Sequence, residues 1–141
     1  MKKAICFTLC LLTFFFISGC NSMSFSKKST ETETYVNDEV SLEIKNDSID
    51  NSGLVLLISN KTNTDLTYDS TYYIEQKKNG VWYSSDNEQY FNALAILLES
   101  KATNEFEVDF ETTLPQGEYR IIKSINVSTG SIPLMVDFKI S

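Results

Sequence analysis

The side chains available for chemistry are few in kind. The 141-residue chain has no histidine, and its three cysteines, Cys6, Cys10 and Cys20, all stand within the first 20 residues. Without histidine neither a Ser-His-Asp nor a Cys-His arrangement can form, and the usual imidazole-bearing zinc and copper sites are removed with them. Carboxylates, lysine, tyrosine and serine remain. Paired carboxylates could hydrolyse a glycosidic bond, but no spacing in the chain singles out a pair. Asp47 and Asp50 lie in a turn-forming run, Asn46 to Gly53. Their spacing is not that of an EF-hand loop and no glutamate follows at the right distance, so a solvated loop is expected, with no metal and no cofactor. The other candidates for engaging a ligand are aromatic. Tyr72, Tyr73, Trp82 and Tyr83, with Tyr90 and Phe91 beyond them, form the densest aromatic cluster of the chain. On two-sided strands they are expected mostly as core and cross-strand pairs, Trp82 among them, with a ligand platform as the alternative.

The N-terminus points to an address. Lys2 and Lys3 precede an uncharged, largely apolar run from Ala4 to Ile17, the pattern of an export signal and too short for a comfortable membrane span. The run ends in Ile17-Ser18-Gly19-Cys20, which resembles the lipobox of bacterial lipoprotein precursors, with isoleucine where leucine is commoner. The resemblance implies a signal peptide over 1–19, cleavage between Gly19 and Cys20, and a Cys20 thioether-linked to diacylglycerol. The implied partner of the N-terminus is a lipid bilayer, and the implied location is the extracytoplasmic face of a bacterial cell membrane. Two or more acyl chains hold a protein there where one would not. On this reading Cys6 and Cys10 leave with the signal and Cys20 is consumed, so no disulfide can form in the mature chain. An ordinary signal peptide or an uncleaved anchor with a chance cysteine is the alternative.

Twelve Lys and Arg face nineteen Asp and Glu, and loss of Lys2 and Lys3 leaves ten against nineteen, a net charge of −9. That balance argues against nucleic acid as a partner and for a body that stands off anionic lipid heads. Asn21 to Asn37 is rich in Ser, Thr, Lys, Glu and Asn, so residues 20–37 read as the lipidated cysteine followed by a flexible, disordered tether. Residues 38–141 are enough for one domain held by burial alone.

From there the periodicity is that of strands. Val40, Leu42 and Ile44 alternate with polar residues, and Leu54 to Ile58 is apolar throughout, predicting a mid-sheet strand covered on both faces. Tyr68 to Lys78 reads as one strand running into Asn79-Gly80, the pair that suits a type I′ hairpin, and returning as Val81-Trp82-Tyr83. Ala93 to Leu97 suits a helix by propensity, but a lone helix would interrupt an all-β pattern, so Asn92 to Lys101 is expected as a strand. Phe106, Val108 and Phe110 alternate with carboxylates, and Leu134, Val136, Phe138 and Ile140 define a last inward-facing strand. Between them, Pro115 and Gly117 force a reversal from which Tyr119 enters a strand, the sequence form of a tyrosine corner. Tyr119, Ile121, Ile122 and Ile125 do not keep to one alternation, which calls for a bulge or a two-sided strand.

About seven strands with close turns make an all-β, immunoglobulin-like Greek-key sandwich the expected fold. Ile58-Ser59-Asn60, Ile74-Glu75, Lys78 to Tyr83, Phe91-Asn92-Ala93, Glu105 to Val108 and Leu114 to Lys123 together resemble a bacterial immunoglobulin-like domain of Gram-positive surface lipoproteins. The resemblance implies a fold and carries no catalytic residues. A non-catalytic binding or adaptor domain with a protein or cell-envelope partner is therefore expected, against a structural spacer or accessory subunit of an envelope complex and a carboxylate hydrolase.

Overall fold

The computed structural model describes residues 23–31, 38–86 and 91–141, and these form ten strands and no helix. Seven make one antiparallel sheet: β1 (Phe25–Lys28), β4 (Leu66–Tyr68), β5 (Tyr73–Lys78), β6 (Val81–Ser85), β7 (Ile96–Leu98), β9 (Gly117–Val127) and β10 (Gly130–Ile140). Three make the other, in the order β2 (Val40–Ile44), β3 (Gly53–Asn60), β8 (Thr103–Asp109). The chain changes sheet four times, and alternate residues of both sheets fill one core between them. This is the expected sandwich, with ten strands among the described residues where about seven were expected. Its organiser is β9, which pairs with β10 along all eleven residues on one edge. On its other edge, β5, β6 and β1 follow outward from residues 118–122, while β4 and β7 attach at Asn126.

Two local expectations hold in detail. Asn79 and Gly80 both have positive φ, 51° and 78°, as a type I′ turn requires. The Tyr119 ring is fully buried, stacked 5.5 Å from Phe138, and its hydroxyl donates to the Pro115 carbonyl at 2.8 Å. The same oxygen accepts from Gln76 Nε2 at 3.1 Å. Tyr119→Phe leaves that carbonyl and that amide without their partner, so we expect a loss of about 1–3 kcal/mol in urea denaturation. A change below about 0.3 kcal/mol would mean that the corner bond contributes nothing.

Four expectations are corrected. The tether over 20–37 is not flexible throughout: Met23 and Phe25 are buried, and β1 pairs with β6 at the sheet edge. Phe25 lies 5.8 Å from the Tyr119 ring, and its carbonyl accepts from Lys78 Nζ at 2.6 Å. A polar segment with two apolar residues at alternate positions cannot bury itself, but an open strand edge supplies the missing half of the core. Residues 20–22 and 32–37 of the expected tether lie outside the described residues. Second, Leu54 to Ile58 is central but one-sided, with Leu54, Leu56 and Ile58 buried and Val55 and Leu57 half-exposed. Third, the strand expected from Tyr68 to Lys78 breaks at Asp69–Tyr72, because the buried Lys123 ammonium takes the Asp69 and Thr71 carbonyls that a ladder would use. Fourth, within Asn92 to Lys101 only Ile96–Leu98 is strand. β9 is two-sided without a bulge: Ile125 keeps the parity of Tyr119 and Ile121, and Ile122 alone among these takes the other face. Asn60 is buried and uses its whole amide, donating to the carbonyls of Thr64, Leu98 and Glu99 and accepting from Thr62.

Candidate functional site

Register sets out the outer face of the large sheet in rows, since directly paired residues project to the same side. Trp82, Lys77, Glu118 and Lys139 form one row across β6, β5, β9 and β10. Ser84, Glu75, Arg120 and Asp137 form the next, and Tyr73, Ile122 and Met135 the third. An outer face is ordinarily solvated, yet Glu75 and Arg120 are only 2% and 4% exposed. Arg120 Nε and Nη2 both donate to Glu75 Oε2, at 2.7 and 2.6 Å, and the Ser84 hydroxyl donates to Oε1 at 3.0 Å. Nη2 also donates to the Glu31 carbonyl at 2.8 Å and to the Ser29 hydroxyl at 3.3 Å. The backbone after β1 therefore runs over the pair and covers it. The Trp82 ring completes the cover, with Arg120 Cζ 4.6 Å and Lys77 Nζ 5.4 Å from its centroid.

The first row borders an open groove of about 360 Å³, walled by Trp82, Lys77, Glu118, Asp137 and Lys139 over the β9 and β10 backbone. An indole held rigid by a buried ion pair, flanked by two ammonium groups and two carboxylates, can pack against a flat group while bonding polar substituents of either sign. The groups that could bind are present. No histidine, cysteine or carboxylate trio that could hold a metal occurs among the described residues. A wider depression of about 750 Å³ lies at the Gly117 end of β9, between Ile49–Asn51 and Pro115.

The aromatic residues proposed as a platform are not one site. Strand alternation sends Tyr72 and Tyr83 inward and Tyr73 and Trp82 outward. Tyr72 joins the sheets, its hydroxyl donating to the Asp109 carbonyl at 2.5 Å and its ring tilted against Phe91 at 5.0 Å. Tyr83 is half-buried against the core. Tyr73 is 58% exposed and stands four residues along β5 from the Lys77–Trp82 pair, about 13 Å away. Nor is Trp82 in the core: it is half-buried and caps an ion pair on the outside. Gly19 and Cys20, the expected cleavage and lipidation positions, lie outside the described residues.

Sequence reasoning missed three buried charged groups, Glu75, Arg120 and Lys123. Arg120 and Lys123 sit in the run Tyr119 to Ile122 and just after it, where apolar residues already mark both faces. A strand covered on both sides must bury its charges too, and that was the available signal. Lys123 is completely buried on the inner face. Its Nζ donates to the Asp69 carbonyl and, at 2.8 Å, to the Thr71 carbonyl, and it lies 4.5 Å and 5.0 Å from the Phe106 and Tyr68 ring centroids. Burial lowers its pKa from 10.5 to about 8, against the opposing pull of Asp69.

A family model described as the bacterial Ig-like domain matches residues 27–139, from within β1 almost to the end of β10. The chain belongs to that family. Comparison with curated proteins returned no match. In this bacterial Ig-like domain the matched stretch takes in both halves of the sandwich, the tyrosine corner, the Arg120–Glu75 pair and the groove beside Trp82. The family identity agrees with a binding or adaptor module.

Proposed function

We propose that the protein is a lipid-anchored, extracytoplasmic bacterial lipoprotein whose Ig-like domain is a non-catalytic binding module for a protein or envelope component. The observation that carries the binding reading is the placement of Trp82. A residue type usually spent on the core is held outside, braced by Arg120 and facing an open groove. Anchoring rests on the residues Ile17-Ser18-Gly19-Cys20 that end an uncharged N-terminal run. A uniformly polar spacer fits less well, because Ile49, Tyr73, Leu94 and Leu97 are all exposed. Hydrolysis by carboxylates finds no support in the shifted carboxyl groups. Asp50 and Asp86 are both held below the usual range, chiefly by the hydroxyls of Ser52 and Ser26, the opposite of what a general acid requires.

Cys20→Ser tests the anchor. The variant is expected to leave the membrane fraction for the medium, or to accumulate as an uncleaved precursor, on fractionation and immunoblotting. Normal cleavage with unchanged membrane association would reject lipid as the anchor.

A further inference from the structure

The fold decides how close such an anchor holds the domain. Met23 is 5% exposed and Phe25 4%, so the packed body begins three residues after Cys20. Three residues reach at most about 10 Å even when fully extended. A lipid on Cys20 therefore leaves no stalk, and whatever part of the body surrounds Met23 must lie at the bilayer surface.

That part can be traced by contacts. The Ser24 carbonyl accepts from Asp86 N at 2.8 Å, just past the Ser84 that pairs with Glu75, and Tyr73 lies two residues before Glu75 at the start of β5. Beside Tyr73, the Tyr72 ring meets Phe91, and Ser70 Oγ donates to the Asn92 carbonyl at 2.6 Å. Leu94 follows, tied through its N–H to Asn92 Oδ1 at 3.1 Å, and then Leu97, paired through Thr67 to the Asn126 end of β9. Tyr73, Leu94 and Leu97 are 58%, 70% and 52% exposed. Among the described residues, three of the four large apolar side chains left in solvent thus lie toward the end of the sandwich where β1 starts. The fourth, Ile49, lines the depression at the Gly117 end, roughly 30 Å away along β9. Tyrosine and leucine suit the boundary between head groups and acyl chains.

We infer that the end bearing the start of β1 rests on the bilayer, with Tyr73, Leu94 and Leu97 as its contact residues, while the Gly117 end points away. The inference rests on the lipoprotein reading of Cys20 and adds an orientation to it. Because the mature chain has no other cysteine, Leu94→Cys and Ile49→Cys each give one free thiol in the lipidated, full-length protein. Each is labelled with an environment-sensitive fluorophore and reconstituted into vesicles of phosphatidylethanolamine and phosphatidylglycerol. The label at position 94 is expected to emit to the blue and to be about fivefold less accessible to iodide than the label at position 49, which should match free dye. Vesicle flotation with equal quenching at both positions would overturn the orientation while leaving the anchor standing. Failure to float, with a free thiol at Cys20, would overturn both.

Discussion

Arg120→Ala should lower stability by about 3–5 kcal/mol, which is enough to unfold much of a domain of this size. The loss has three sources. Glu75, 2% exposed, is left buried with the Ser84 hydroxyl as its side-chain donor. The Ser29–Glu31 backbone loses the guanidinium that holds it on the sheet. The Trp82 ring loses the surface on which it lies. Chemical denaturation of the purified domain reads the effect, and replacing both partners together separates pair from packing. Arg120→Met with Glu75→Leu should recover most of the loss, because two apolar side chains leave no buried charge unpaired. A loss below about 1 kcal/mol for Arg120→Ala would show that water reaches Glu75, and that the cover by Trp82 and Glu31 is open in solution.

Raising the pH from 8 to 10 should stabilise the domain by about 2–3 kcal/mol, contrary to the usual decline in alkali. The cause is Lys123. Its folded pKa is about 8 against an ordinary 10.5. Below pH 8 both states hold the proton and stability does not change. Between the two values the unfolded chain keeps a proton that the native state has released, so stability rises with pH. Above pH 10 the trend reverses, because burial raises the phenol pKa values of Tyr72 and Tyr119 and their unfolded counterparts ionise first. A stability maximum near pH 10 is the expected signature. Lys123→Met removes the ammonium and should flatten the profile between pH 8 and 10. A rise that survives in Lys123→Met, or no rise in the parent protein, would place the proton elsewhere.

Readable from the sequence were the features whose causes lie within a few residues. Asn79-Gly80 adopts positive φ at low cost wherever it stands, and Pro115 and Gly117 reverse the chain before Tyr119 whatever surrounds them. Alternation in Val40–Ile44, Phe106–Phe110 and Leu134–Ile140 is likewise a local record of which face meets the core. From such pieces the all-β class and the sandwich followed, since faces of that kind bury themselves only against each other.

Tertiary structure alone decided what each exposed edge and each charge would meet. The polar stretch containing Phe25 became β1 because the free edge of β6 offered it hydrogen bonds and Tyr119 offered its ring a place in the core. Four neighbouring aromatics became two inward and two outward residues once the hairpin register was set. Glu75 and Arg120 are 45 residues apart in sequence and bond only because β5 lies beside β9. Lys123 is tolerated in the core because Asp69 and Thr71, more than 50 residues earlier, turn their carbonyls toward it. Backbone preference and hydrophobic alternation act over a few residues and are written in order along the chain, whereas the partner of a buried charge is set by strand order, which no local stretch encodes.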